Sequence, residues 1–120
     1  MLETIYFPDC KDSILVSDDG PAPQVLFEKG KIKLVVAGLK AGQSIPPHEE
    51  TLGIYHFIEG RGIMTVDEVQ YDVRQGTTII VPKGAIRGIS AKTDLSFLAT
   101  RITPCHKDEE GHREGDCDQE

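Results

Sequence analysis

Apolar and polar residues along this chain repeat with a period of two wherever they repeat at all. Between residues 32 and 39, Ile32, Leu34 and Val36 fall on one face and Lys33, Val35 and Ala37 on the other, as a half-buried strand requires. Similar alternation, or a short β-branched run, predicts strands at 53–59, 63–66, 69–73, 77–81, 88–91 and 95–103, with shorter β-prone pieces at 4–7, 14–16 and 25–28. In 69–73 the pattern sets Val69, Tyr71 and Val73 inward and Gln70, Asp72 and Arg74 outward. Turn chemistry punctuates the series: Asp18-Asp19-Gly20-Pro21-Ala22-Pro23, Ala41-Gly42 and Pro82-Lys83-Gly84. Asp67-Glu68 predicts a tight hairpin turn although no glycine supplies the positive φ. No window sustains an apolar period of 3.6, so helix is expected to be nearly absent. Short strands every eight to twelve residues or so are the pattern of an all-β sandwich or barrel, and antiparallel closure removes the edges they would otherwise expose.

A length of 120 residues bounds the chain to one domain of modest core. The longest apolar run, Ile79-Ile80-Val81, is far below the roughly 18 residues of a membrane span, and the N-terminus lacks the basic-then-apolar pattern of a secretion signal. A cytoplasmic protein with no membrane partner is the expectation. Cys10, Cys105 and Cys117 are an odd number without framework spacing, which suits a reducing compartment. Charge divides the chain unevenly. From Pro104 onward seven acids face only Lys107 and Arg113, so this tail carries −5 of the net −7 and the body is nearly neutral. With no stripe of Lys and Arg and no aromatic platform, nucleic acid is not an expected partner.

Two spacings carry a resemblance. Gly42, His48 and Gly60 match the first motif of the cupins, which runs Gly, five residues, His-x-His, three or four residues, Glu, six residues, Gly. Glu50 stands at the second His of that motif and Gly53 at its Glu. Further on, Gly76, Pro82 and Gly84 match the second motif, Gly, five residues, Pro-x-Gly, two residues, His, three residues, Asn, but with Arg87 at the His and Ala91 at the Asn. The resemblance implies a double-stranded β-helix, the cupin jelly-roll barrel, over residues 32–103. Residues 1–31 then supply strands that complete the barrel, and 104–120 form an acidic appendage expected to be disordered and dispensable for folding. Cupins commonly pair as dimers, and a homodimer covering Ile54 and Ile58 on an outer sheet face is expected.

The family's metal ligands, two His, a Glu and a third His, correspond here to His48, Glu50, Gly53 and Arg87. A metal site usually needs three or four protein ligands. At an effective dielectric of ~20, a divalent ion ~5 Å from a guanidinium is opposed by roughly 6 to 7 kcal/mol. No metal is favoured; a divalent transition metal, if bound, would rest on His48 and Glu50. In the tail, Cys105, His106, His112 and Cys117 form an alternative cluster, without the usual finger spacing. Strand parity sends Tyr55 and Phe57 inward, as core aromatics or as the wall of a ligand pocket, and His56 outward. Arg87 either pairs with Glu50 as a satisfied ion pair or anchors an oxyanion of a ligand. His48, Glu50, Tyr55, Phe57 and Arg87 are therefore the candidate ligand-binding residues, and no catalytic residue is assigned. The leading reading is a divergent cupin that binds a small anionic or polar molecule, in a regulatory or sensing role. Its rival is a metal-dependent cupin enzyme, a dioxygenase or isomerase, with a non-standard ligand set.

Overall fold

A computed structural model describes residues 3–103, and it is all-β. Nine strands follow one 3-10 turn: β1 Ala22–Lys29, β2 Ile32–Leu39, β3 Ser44–Glu49, β4 Leu52–Glu59, β5 Arg61–Val66, β6 Val69–Arg74, β7 Thr78–Val81, β8 Ile86–Ala91 and β9 Leu95–Ile102. They form two antiparallel sheets, β1-β2-β9-β4-β7 and β3-β8-β5-β6, stacked face to face. This is the jelly-roll arrangement expected from the alternation and the motifs. Between the sheets lie Phe57, Phe97, Tyr55, Leu39, Leu95, Met64, Val73 and Val81. Phe97 sits between the two β4 aromatics, with ring centroids 5.9 Å from Tyr55 and 5.5 Å from Phe57, both tilted. Such contacts add about 0.5–1.5 kcal/mol each beyond the area they bury.

Turn residues explain why the chain reverses where it does. Asp67 and Glu68 have φ of 48° and 73°, the left-handed pair of a type I′ hairpin. No glycine is needed because the turn is tied down from outside: Asp67 N donates to Ile86 O at 2.8 Å, and Asp67 Oδ1 accepts from Ile86 N at 2.9 Å. The β4-β5 corner does need its glycine. Gly60 has φ 88°, and a Cβ there would lie 1.9 Å from Asp94 O.

The alternation misled in three places. Residues 4–7 and 14–16 are not strands. After the Cys10–Ser13 turn, the chain lies flat across the outer face of β2 without pairing to an edge, so close that a Cβ on Gly38 would be 2.6 Å from Leu15 O. β-propensity with no free edge beside it forms no ladder. Val69 and Tyr71 are exposed, at 52% and 44%, and only Val73 of that trio is buried. Only the Val73 end of this edge strand lies against the facing sheet. Conversely, β3 is a strand that the alternation did not predict, and it contains Pro46-Pro47. Its pairing with β8 steps from Ile45↔Ile89 to His48↔Arg87, a bulge with one extra residue on the edge strand. The prolines fall within that break, where a missing N–H interrupts nothing. Gly88 makes the bulge possible, since a Cβ there would come within 2.9 Å of Ile45 O.

Candidate ligand-binding site

Arg87 enters the interior from β8 and is only 1% exposed, the largest fully buried side chain of the described residues. Its guanidinium donates to Thr51 O at 2.7 Å, Glu50 O at 3.0 Å, Pro82 O at 2.9 Å and Ala85 O at 3.1 Å, while Nε donates to Ala85 O at 3.2 Å. Every partner is a backbone carbonyl. They belong to two turns, β3-β4 and β7-β8, which Gly84 N also joins by donating to Glu50 O at 2.9 Å. A buried charge needs partners for its donors, and here four carbonyls accept from them while the side chain clamps two loops together. The expected pairing of Arg87 with the Glu50 carboxylate is thus replaced by a bond to the Glu50 carbonyl.

Gly53 explains how the guanidinium fits. A Cβ at this position would lie 3.1 Å from Arg87 Nη1 and 2.8 Å from Tyr55 Cε1. The absent side chain at 53 and the long one at 87 fill a single space. Such a pocket does not suit the metal that the motif positions imply, because Gly53 offers no donor and Arg87 brings a fixed positive charge. Among the described residues, no group of three or more His, Cys, Asp or Glu is placed to hold a metal ion. The Cys105, His106, His112 and Cys117 cluster lies outside the described residues.

The Glu50 carboxylate turns away from Arg87. Its Oε2 lies 3.7 Å from Arg101 Nη1 and 3.9 Å from His48 Nε2, while Oε1 accepts from Thr51 N at 3.1 Å. His48 Nδ1 is 3.0 Å from Pro46 O. A carbonyl only accepts, so Nδ1 donates to it and Nε2 is the ring nitrogen that faces Glu50. Arg101 was not singled out by the sequence, although its parity was readable: Leu95, Phe97, Ala99 and Arg101 alternate inward along β9, and a charge in fourth place is conspicuous. Register places Arg101 directly between Lys33 on β2 and Gly53 on β4. Its Nε is buried without a hydrogen-bond partner.

Two clefts meet at Arg101. An apolar one of about 320 Å³ runs between the edge strands β1 and β3, walled by Pro23, Val35, Ile45, Pro46, Phe97 and Ala99. A polar one of about 300 Å³ continues past the same arginine to Lys33, Glu50 and Thr51. Of the candidate residues read from sequence, the structure brings His48 and Glu50 together, and of the two Glu50 lines the polar cleft. Tyr55 and Phe57 stand behind Phe97 in the core, and Arg87 is sealed within the loops.

The family model described as the cupin domain matches residues 29–100. The chain belongs to the cupins. A conserved protein of unknown function from Streptococcus pyogenes superposes with TM-score 0.75 at 22% identity, over 87% of this chain and 92% of its own. An RmlC-like cupin from Desulfovibrio desulfuricans does so with TM-score 0.67 at 24% identity, over 85% and 92%. Likeness at these identities speaks for the cupin fold alone. An uncharacterised protein of Methanocaldococcus jannaschii is 43% identical over 35 residues, 29% of this chain, and that match spans only 28% of the relative's length. No helix among the described residues is long and apolar enough to cross a membrane.

Proposed function

We propose that this cupin binds a small organic acid with an apolar body, and does so without the metal ion that the motif positions imply. The observation that carries the reading is Arg101 at the junction of the two clefts, with its Nε buried and unpartnered. An orphaned buried donor costs about 1–3 kcal/mol, more when charged, and the 27% of the side chain that stays exposed is where a ligand oxygen meets this under-satisfied guanidinium. A carboxylate accepts bidentately from a guanidinium. Lys33 and Arg101 stand side by side in register, and with Lys31 they set three cations against the carboxylates of Glu28 and Glu50 in the polar cleft, so the junction favours an added anion. The apolar cleft takes the remainder of the molecule. A regulatory or sensing role in the cytoplasm accords with a binding site that lacks an activated nucleophile.

The test pairs binding with metal content. Melting curves with a panel of small aromatic and aliphatic carboxylates should show stabilisation in the wild type that Arg101→Met removes and Arg87→Lys does not selectively remove. Elemental analysis of the full chain and of a chain ending at residue 103 should find no stoichiometric transition metal in the shorter one. Stoichiometric metal in that shorter chain would instead support a metal-dependent enzyme.

The cupin is further proposed to be a homodimer through the outer face of the five-stranded sheet. Outward residues there include Ile54 paired with Ile80, and Ile102 flanked by Ile32 and Leu52, with Ile80 67% exposed. Contiguous apolar faces of this kind on soluble proteins mark contacts. Ile80→Asp should shift sedimentation toward the monomer, and an unchanged monomeric wild type would count against the interface.

A further inference from the structure

At the end of the four-stranded sheet where β5 begins, three cations face one cleft of about 320 Å³: Arg61, Arg74 and Lys92, with Asp72 on its rim. Arg61 opens β5 and Arg74 closes β6, and the two are direct register partners. Like charges directly opposed across strands are destabilising. The acids that flank this end are engaged elsewhere. Glu59 pairs with Lys11 at 3.4 Å, and Asp94 Oδ1 accepts from Ala41 N at 2.9 Å. Only Asp72 faces three positive charges, on a protein whose net charge is −7.

Backbone bonds hold the three positions in place. Lys92 N and Thr93 N both donate to Arg61 O, at 2.9 and 3.1 Å, and Arg61 N donates to Thr93 Oγ1 at 2.9 Å, so the β8-β9 turn is stitched to the start of β5. On the other side, Arg74 N donates to Thr77 Oγ1 at 3.0 Å and Thr77 N returns to Arg74 O at 2.9 Å. The side chains are exposed, and their backbone roots are tied together by these bonds and by the Arg61↔Arg74 pairing. Next to Arg61, position 62 has no room for a side chain, since a Cβ there would lie 2.3 Å from Ser90 O.

We propose that this cleft is a second binding site, for a small phosphate-bearing dianion such as inorganic phosphate or a phosphate monoester. Two forked guanidiniums and an ammonium match the charge and the oxygen count of a phosphate group, and each guanidinium can bind two of its oxygens. Asp72 beside them would repel the dianion unless it accepts a hydrogen bond, so a monoester carrying a hydroxyl near its phosphate satisfies the cleft better than phosphate alone. The site is separate from the Arg101 junction, and neither depends on the other.

The experiment uses the full chain, with inorganic phosphate and glycerol phosphate as probes against sodium chloride at matched ionic strength, because bulk screening alone relieves the Arg61–Arg74 repulsion. Wild-type melting temperature should rise further in either phosphate than in chloride, and amide signals of Arg61, Gly62, Arg74 and Lys92 should shift together on titration. Arg74→Gln should melt higher than wild type in phosphate-free, low-salt buffer and lose the phosphate response, while Lys33→Gln keeps it. An equal phosphate response in wild type and Arg74→Gln overturns the proposal. So does co-sedimentation with anionic lipid vesicles in the absence of any response to the soluble probes, since the cations would then serve a membrane headgroup.

Discussion

Arg87 and Arg101 both point into the space between the sheets, and they are used in opposite ways. Arg87 is almost wholly buried, and its donors are spent on carbonyls of two turns. Arg101 keeps 27% of its side chain exposed, reaches one carboxylate at 3.7 Å and leaves its Nε without a partner. A guanidinium bonded to its own backbone through all three nitrogens and only 1% exposed is out of a ligand's reach. The one left incomplete at a cleft is the one that gains from binding. The arginine at the position of a family metal ligand is therefore a structural clamp, and the positive charge available for recognition comes from the neighbouring strand.

The largest effect should come from Arg87→Met. It leaves the carbonyls of Thr51 and Ala85 without the donor they now have, and Glu50 O and Pro82 O with only Gly84 N and Ala85 N, and each acceptor left unsatisfied costs about 1–3 kcal/mol. Urea unfolding measures this directly, and a loss below about 1 kcal/mol would erase the distinction between the two arginines. Next is Gly53→Ala, whose Cβ would press on Tyr55 Cε1 and Arg87 Nη1. Overpacking of that kind costs about 1–3 kcal/mol. The pair Gly53→Glu with Arg87→His removes the guanidinium and supplies two donors beside His48, the register partner of position 87. Nickel or zinc should then bind stoichiometrically by elemental analysis, and a metal-free double variant would show that more than these two positions separates the site from a metal centre.

Arg101→Met should change stability by about 1 kcal/mol or less, because its ion pair with Glu50 is partly solvated, while abolishing the response to small carboxylates. A large stability loss would make Arg101 a second clamp. The smallest effect belongs to the exposed pair Lys40–Asp18. The hydrogen bond and charge of Lys40 hold the Asp18 carboxyl below its ordinary pKa, and Asp18 holds the Lys40 ammonium above its own. Asp18 contributes above its unfolded-state pKa, and that contribution is lost as pH falls through the lower folded value. The Lys40 contribution is full below its unfolded-state pKa and is lost as pH rises through the higher folded value. Asp18→Asn should lower the melting temperature slightly at neutral pH, with the difference closing in strong acid.

Much of the fold was legible because strands at 32–39, 53–59, 63–66 and 95–103 alternate clearly and their turns carry their own chemistry. The four glycines on which the cupin resemblance rests, Gly42, Gly60, Gly76 and Gly84, have φ of 90°, 88°, 94° and 85°, so their spacing encodes backbone conformation that other residues rarely adopt. Parity along β4 was equally readable: Gly53, Tyr55 and Phe57 are buried while Ile54 and His56 are less so. Periodicity of this kind is local, written in neighbouring residues, and needs no knowledge of what lies across the sheet.

What the tertiary structure decided are the matters that depend on partners distant in sequence. Whether residues 14–16 pair or merely cross a strand depends on which edges are free once the sheets have formed. Pro46-Pro47 becomes tolerable as strand only because β3 is an edge and Gly88, far along the chain, leaves room for its bulge. Arg87 and Gly53 read separately as two lost ligands, and only their contact in space shows one exchange of volume and charge. The Glu50 carboxylate faces Arg101, 51 residues on, because the β3-β4 turn gives its carbonyl to Arg87 and sends its side chain to the other flank of the cleft. Sequence supplies the donors and acceptors, and the packing of two sheets determines which of them meet.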